Sequence, residues 1–245
     1  HVLMSEDLYG GTVRLAEEVF ADYGITFEYV DVRDLALVGK RMRPETKLVF
    51  IETPSNPMMQ ISDIAALSAL AHENGALLAV DNTFLSPHFQ KPLTLGADIV
   101  LHSGTKYLCG HNDVIAGFLV LKDATSAQAK RIELLAKSAG PNLSALDSWL
   151  MLRSIKTLGV RVERQAENAL AIAQWLGTLP EVTEVLYPGL ADHPSYALQQ
   201  KQASGAGGMI SFKVRSAELA KAALGKLHLI AFAESLGGVE TLLTY

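Results

Sequence analysis

Apolar residues recur along this chain in two rhythms. From Leu48 the run Leu-Val-Phe-Ile-Glu, rich in β-branched content and bounded by the Pro54-Ser55-Asn56-Pro57 turn, predicts a short buried strand. Between Ser62 and Glu73 the residues Ile64, Leu67, Leu70 and Ala71 fall at helical spacing, and Gly75 supplies a stop signal. Strand-like runs return at Ala76 to Asp81, Asp98 to His102 and Gly117 to Lys122. Strands alternating with helical or irregular connections predict an α/β fold built on a parallel or mixed sheet.

A change of pattern follows Asn142. Ser144 with Asp147 three residues on resembles a capping box, opening one long helical stretch through Trp149, Leu152 and Leu170 towards Leu176. This predicts a boundary, with residues 1–142 forming a large domain and 143–245 a connecting helix and a smaller α+β domain. In the latter, Val182 to Tyr187, Met209 to Val214 and Leu229 to Ala233 read as strands, with helical segments from Ser195 and Ala217. Gly205 to Gly208 lacks the strand-to-helix context of a dinucleotide loop and reads as a turn. Trp149 and Trp175 fit apolar helix faces and are expected to pack.

Composition narrows the class. With 49% hydrophobic and 19% charged residues in 245, the chain has the balance of an ordered α/β enzyme. Its net charge of −5 and scattered basic residues argue against nucleic acid or an acidic membrane as partner and favour small molecules. Cys109 is the single cysteine, so no intrachain disulfide forms, and no apolar run approaches the roughly 18 residues of a membrane span. A cytoplasmic location is expected.

Candidate chemistry gathers at predicted strand ends, where open α/β sheets bind ligands. Asp81 closes one apolar run, and Ser103, Thr105 and Lys106 follow another. A carboxylate beside a lysine has the logic of pyridoxal 5′-phosphate (PLP): the carboxylate favours a protonated pyridine nitrogen, and the lysine holds the cofactor as a Schiff base and then moves protons. Ser103 and Thr105 are hydroxyl donors suited to phosphate, and Gly104 permits close backbone approach. Taken singly, each residue has a plainer reading as turn former, solvated lysine or loop hydroxyl. Only the combination carries information. His102, His111 and His193 lack a ligand-spacing pattern, so no metal is expected. Cys109 is expected to be a packed small side chain.

From Leu8 to Tyr245 the chain resembles the transsulfuration, or Cys/Met-metabolism, PLP enzymes. The resemblance rests on six ordered motifs: Leu8-Tyr9-Gly10-Gly11-Thr12, Glu52-Thr53-Pro54-Ser55-Asn56-Pro57, Val80-Asp81-Asn82-Thr83, His102-Ser103-Gly104-Thr105-Lys106-Tyr107, Gly110-His111-Asn112-Asp113-Val114 and Glu234-Ser235-Leu236-Gly237-Gly238. It implies an aspartate aminotransferase-like (fold type I) large domain with a mostly parallel sheet and a smaller C-terminal domain. By resemblance Tyr9 stacks on the pyridine ring and assists proton transfer, Asn56 bonds the ring hydroxyl side, and Asp81 pairs with the ring nitrogen. Lys106 carries the cofactor, Ser103 and Thr105 hold its phosphate, and Ser235 and Leu236 line the pocket for the substrate's α-carboxylate. The family's active sites lie between two subunits and its dimers commonly pair, which implies a homotetramer. It also implies an N-terminal phosphate loop and Tyr/Arg arm, and an arginine beyond the Ser-Leu-Gly motif; none is present in these 245 residues. They are expected to be disordered in a cofactor-free form.

Family members diverge after a shared first step. Gly11 stands where methionine γ-lyases of the family carry cysteine, and Glu234 precedes Ser-Leu-Gly as in many γ-synthases and γ-lyases. An acidic Glu234 suits the amino group of cysteine or the distal end of cystathionine, although a carboxylate capping backbone donors is a competing reading. The resemblance thus implies a cystathionine γ-synthase-like γ-replacement joining O-acylhomoserine to cysteine. Cystathionine γ-lyase or β-lyase and O-acylhomoserine sulfhydrylase are the alternatives. Outside the class stand a non-catalytic truncated scaffold and a Ser-x-x-Lys acyl-transfer enzyme using Ser103 and Lys106.

Overall fold

The structure is a computed structural model that describes all residues from His1 to Tyr245. By contact the chain divides into two compact units. One comprises His1–Asn82, Gln90–His102 and Phe118–Ser144, the other Thr83–Phe89, Ser103–Gly117 and Ala145–Tyr245. The expected division at residues 142/143 follows chain order alone, whereas contact groups two short earlier segments with the later residues.

Six strands build the sheet of the first unit: β1 (Val2–Ser5), β2 (Phe27–Val30), β3 (Leu48–Glu52), β4 (Leu77–Asp81), β5 (Ile99–Ser103) and β6 (Gly117–Leu121), in the order β2-β1-β3-β4-β5-β6. The β1–β2, β1–β3, β3–β4 and β4–β5 pairs are all parallel. Between them run α1 (Gly10–Leu15), α2 (Leu35–Arg41) and α3 (Ile64–Glu73); the one-turn α4 (Ser86–Phe89) groups with the second unit, and α5 (Ala127–Ala139) closes the first. The predicted β3, α3, β4, β5 and β6 all form, shifted by a residue or two.

Local chemistry explains the starts of these helices. Asp34 accepts from the Leu37 N–H at 2.9 Å, Asp63 from Ala66 at 3.0 Å and Ser126 from Ala129 at 3.1 Å, each satisfying an amide that the helix leaves unpaired. Packing supplies the rest. Leu3, Val49, Ile51, Leu78 and Val80 from the sheet close on Ile64, Leu67 and Ala71 of α3, and burying a Leu, Ile or Val contributes roughly 1.5–3 kcal/mol.

The strand order has one consequence for function. From β1 the chain moves outward to β2 and then returns to place β3 on the opposite side of β1, so a topological switch point lies between β1 and β3. In open α/β sheets such a point is where ligands bind. Leu8–Tyr9 and Glu52–Asn56 lie at or beyond the carboxyl ends of these two strands.

In the second unit, α6 (Ala145–Ile155), α7 (Leu158–Leu176), α8 (Tyr196–Gln202) and α9 (Ala217–Leu224) accompany the antiparallel pair β7 (Val182–Leu186) with β8 (Ser211–Val214), and the two-residue parallel pair β9 (Ala231–Phe232) with β10 (Leu242–Leu243). The single long helix predicted from Ser144 is therefore two. Thr157 interrupts it: both its N–H and its hydroxyl donate to Ser154 O, each at 3.1 Å, which closes a tight turn at that point. The tryptophan expectation also needs correction, because Trp149 and Trp175 are 58% and 57% exposed. The buried stripes run through Met151 and Ser154 on α6 and through Leu158, Val162, Ala169, Ala173 and Leu176 on α7, and both rings lie off them. Gly205 to Gly208 is loop, with Gly207 at φ 78°. No helix is long and apolar enough to cross a membrane.

Candidate active site

The first unit contributes an acidic pair at the carboxyl ends of β3 and β4, one strand over from the switch point. Parallel pairing of β3 with β4 sets Glu52 opposite Asp81 at the carboxyl ends of both strands. Glu52 is buried and accepts the Tyr9 N–H at 3.0 Å. Burial, aided by the negative charge of Asp81, pushes its carboxyl up to about 8. At neutral pH Glu52 therefore keeps its proton beside Asp81. Asp7 holds the turn after β3, accepting from the Ser55 hydroxyl and from Met58 N–H at 3.1 Å, so that the segments following β1 and β3 are bonded to each other. Asn56, in that turn, is half-buried, and the Thr53–Pro54 and Asn56–Pro57 peptides are cis.

Further support comes from Gln90. Its amide donates to Thr53 O at 3.1 Å and to Asn82 Oδ1 at 2.9 Å, while Asn82 Nδ2 donates to Gln90 O at 2.9 Å. The backbones after β3 and β4 are thereby held in register. Tyr9 heads α1 and is 59% exposed. A Cβ at Gly11 would lie 2.4 Å from the tyrosine ring, so a side chain there would displace Tyr9 from its position. Next to the site His102 is buried in β5, and burial pushes its imidazole down to about 4.

The second unit holds the lysine. Asp81 pairs with Leu101 of β5, and Ser103 ends the same strand two residues later. Ser103 N–H donates to Thr83 Oγ1 at 2.9 Å, fixing the exit of the strand. Thr105 Oγ1 accepts the Ala116 N–H at 3.0 Å, and its own proton reaches Ala116 O at a long 3.3 Å. A weakly held hydroxyl proton can turn towards an anion at little cost.

Lys106 follows, with ψ −123° breaking the turn from Gly104 to Leu108. Its Nζ donates to Ser235 Oγ at 3.0 Å. Burial lowers its pKa, against the opposing pull of Glu234, which favours the neutral amine that an addition to a carbonyl requires. Ser235 sits at φ 108°, a region non-glycine residues seldom adopt, at a cost of about 1–3 kcal/mol. Gly237, at φ 81°, packs on the lysine's own peptide: a Cβ there would lie 2.5 Å from Tyr107 N and 2.7 Å from the Lys106 carbonyl carbon. Leu236 is half-buried and Glu234 exposed.

Ser103, Thr105, Lys106 and Ser235 each have a hydrogen-bond partner within their own unit, and in the other unit Tyr9 bonds Glu52, which pairs with Asp81. For the Ser-x-x-Lys alternative the relevant observation is that the lysine amine donates to Ser235 rather than to Ser103. His111 meets Cys109 O at 2.8 Å and His193 accepts from Ser195 N–H at 3.2 Å, both local loop contacts. Cys109 is fully buried, in accord with its reading as a packed side chain. Asp7 carried no sequence signal, and Glu52 lay within a motif without an assigned role.

Each unit by itself carries groups of a kind that suits PLP. Two carboxyls at neighbouring strand ends, Glu52 kept protonated chiefly by burial and secondarily by the charge of Asp81, favour an added cation such as a pyridinium. A desolvated amine suits attachment to an aldehyde, and hydroxyls around Gly104 suit a phosphate.

Comparison with known proteins agrees. Residues 1–245 match the family described as Cys/Met metabolism PLP-dependent enzyme. Cystathionine γ-lyase of Bacillus subtilis is 46% identical over 244 residues, covering 100% of this chain and 64% of that protein. Cystathionine γ-synthase of Mycobacterium bovis is 43% identical over 246 residues, covering 100% of this chain and 63% of the relative. The crystal structure of cystathionine γ-lyase from Lactobacillus plantarum complexed with L-serine superposes with TM-score 0.96 at 43% identity, covering 100% of this chain and 64% of that one. The chain spans slightly less than two thirds of the length of these relatives. With the motifs, the parallel sheet and the lysine site in agreement, the chain belongs to the Cys/Met-metabolism family of PLP-dependent enzymes.

Proposed function

We propose that the full molecule is a PLP-dependent enzyme that forms or cleaves C–S bonds, and that its reaction is a cystathionine γ-synthase-like replacement joining O-acylhomoserine to cysteine. The observation that carries the reading is the Lys106 amine, partly desolvated, hydrogen-bonded to Ser235 and felt by the Glu234 carboxylate. A carboxylate beside the reacting amine supports a substrate with a second amino group, as cysteine and cystathionine have.

In this reading Lys106 attaches the cofactor, Asp81 faces its ring nitrogen, Ser103 and Thr105 bind its phosphate, and Tyr9 and Asn56 flank the ring. When bound, PLP supplies an electron-withdrawing ring that stabilises negative charge next to the substrate's amino group. The chain's residues do the rest. Nζ of Lys106, lowered in basicity by burial, takes a proton from carbon and returns one, which requires a pKa nearer neutrality than that of an exposed lysine. Ser235 keeps Nζ from swinging into solvent, and with Leu236 it borders the place for the α-carboxylate. Protonated Glu52 leaves Asp81 as the negative member of the pair while fixing the Tyr9 backbone.

The same reading includes a fold type I large domain over residues 1–142, a smaller domain over 143–245, a cytoplasmic homotetramer, and amino acids as the small-molecule partners. Purified full-length protein, mixed with PLP and reduced with borohydride, should yield a phosphopyridoxyl group on the peptide containing Lys106, and Lys106→Ala should yield none. No adduct in the intact protein would leave the scaffold reading, or, if an acyl-serine probe labelled Ser103, the acyl-transfer one. The reaction is then read from substrate pairs: product from O-acylhomoserine and cysteine supports the synthase, whereas turnover of cystathionine alone replaces it with a lyase.

A further inference from the structure

Helix α7 carries two polar side chains one turn apart, Arg161 and Gln165, whose bonds reach both ends of the lysine site. Arg161 Nη1 donates to Tyr107 O at 2.8 Å. Its Nη2 donates to Ser154 O at 3.1 Å and more weakly to Leu108 O at 3.5 Å, and Nε donates to Thr157 Oγ1 at 3.1 Å. Tyr107 and Leu108 directly follow Lys106. Every acceptor is a neutral oxygen, and burial lowers the pKa of the guanidinium, so a cation has been drawn out of water to hold backbone carbonyls. Gly110, at φ 72°, makes the room: a Cβ there would lie 2.1 Å from Nη1.

One turn further on, Gln165 Nε2 donates to Gly238 O at 2.7 Å. Gly238 ends the Glu234–Gly238 segment, whose Ser235 receives the Lys106 amine and whose Gly237 lies on the Lys106–Tyr107 peptide. Asn112 Nδ2 pins the following turn through Glu240 Oε2 at 2.7 Å. A lysine side chain has four rotatable bonds, so its amine is placed only if the backbone at one end and the partner at the other are both fixed. Here both anchors sit on one rigid helix, four residues or about 6 Å apart.

We propose that Arg161 is a positioning residue for Lys106, its planar fork fixing the turn from which the lysine leaves while Gln165 on the same helix face fixes the Ser235–Gly238 segment that its amine reaches. The proposal rests on Lys106 being the cofactor lysine. Lysine at position 161 would keep the charge but, as a single point donor, would not span the carbonyls of Tyr107 and Ser154 together. Methionine would keep the volume and lose every bond.

The test uses cofactor-free, full-length protein. Competitive acetylation across a pH series, followed by peptide mass mapping, gives the apparent pKa and reactivity of Lys106 without turnover. Arg161→Met should move the Lys106 profile upward by about half a unit to one unit, towards an exposed lysine, as the amine leaves its half-buried position. It should also slow capture of added PLP about tenfold. Arg161→Lys should recover part of the shift, and Arg164→Met, at an exposed arginine paired with Glu167 on the same helix, should leave the profile in place. A Lys106 profile in Arg161→Met that superimposes on the unmutated protein overturns the proposal, even if the melting temperature has dropped. Should that variant not fold, Arg161→Lys and Gln165→Leu carry the same test, and unchanged profiles in both overturn it. Borohydride separates the two ideas. If the unmutated protein forms no adduct at Lys106, the cofactor reading fails while the labelling profile still reports on the clamp; if the adduct forms and the profiles coincide, only the clamp fails.

Discussion

Glu52 keeps its proton to about pH 8 because burial withholds water from its carboxylate and Asp81 opposes a second negative charge beside it. This ties stability to pH with a definite sign. The folded pKa lies above the ordinary value of 4.5, so the folded state binds the proton more tightly. The resulting stabilisation is complete below pH 4.5 and is lost as pH rises through about 8. Glutamine keeps the acceptor for Tyr9 N–H and cannot ionise. In cofactor-free protein, Glu52→Gln should therefore melt several degrees higher than the parent at pH 9, on the order of a few kcal/mol, with the gap narrowing towards pH 5. Thermal melts across that range check it; equal melting temperatures at pH 9 would show that Glu52 ionises without cost. Cys109 presents a simpler case. It is fully buried, burial and Asp113, which its thiol meets at 3.0 Å, raise its pKa, and a thiol reagent should label it at least 100-fold more slowly in native than in denatured protein.

At the scale of elements, capping and packing make separable contributions. Asp63→Ala removes the acceptor for Ala66 N–H at the start of α3 and should cost about 1 kcal/mol. Leu67→Ala, on the buried face of the same helix, should cost about 2–5 kcal/mol; denaturant midpoints compare the two, and a larger loss at Asp63 would contradict the packing account. These elements were legible because their burial is two-sided or strongly periodic: β3, β4 and β5 read as unbroken apolar runs, and α3 as a stripe. Other elements left a weaker trace. Phe27–Val30 is four residues long and carries Glu28 in its middle, where Arg41 and Arg43 neutralise it from elsewhere in the chain. The break at Thr157 was hidden because a side chain bonding back to Ser154 leaves the apolar spacing intact. Lys106, Asp81 and Tyr9 stand out as candidates by residue type and motif. Arg161 does not, since a lone arginine on a helix reads as solvated until its four hydrogen bonds are seen.

Across the whole molecule, a ligand that binds only the folded form raises its stability by mass action. Added PLP should raise the melting temperature of the full-length protein by several degrees, and the rise should shrink in Lys106→Ala and in Arg161→Met; an equal rise in Lys106→Ala would put the main binding energy elsewhere. The net charge of −5 and isoelectric point near 5.8 place the solubility minimum close to that pH.

The unit that holds Lys106 draws on 83–89, 103–117 and 145–245, and the lysine meets its partner Ser235 across 129 positions. A ribosome elongating at about 5–20 residues per second needs roughly 6–25 s to travel from one to the other. During that interval the nascent chain carries an ordinary, unburied lysine with neither its hydroxyl partner nor the glycine that packs on its peptide. On the proposed role of Lys106 as the cofactor lysine, its capture of PLP would wait until synthesis has passed Gly238, and polypeptides abandoned before that point lack the Ser235 and Gly237 contacts around the lysine.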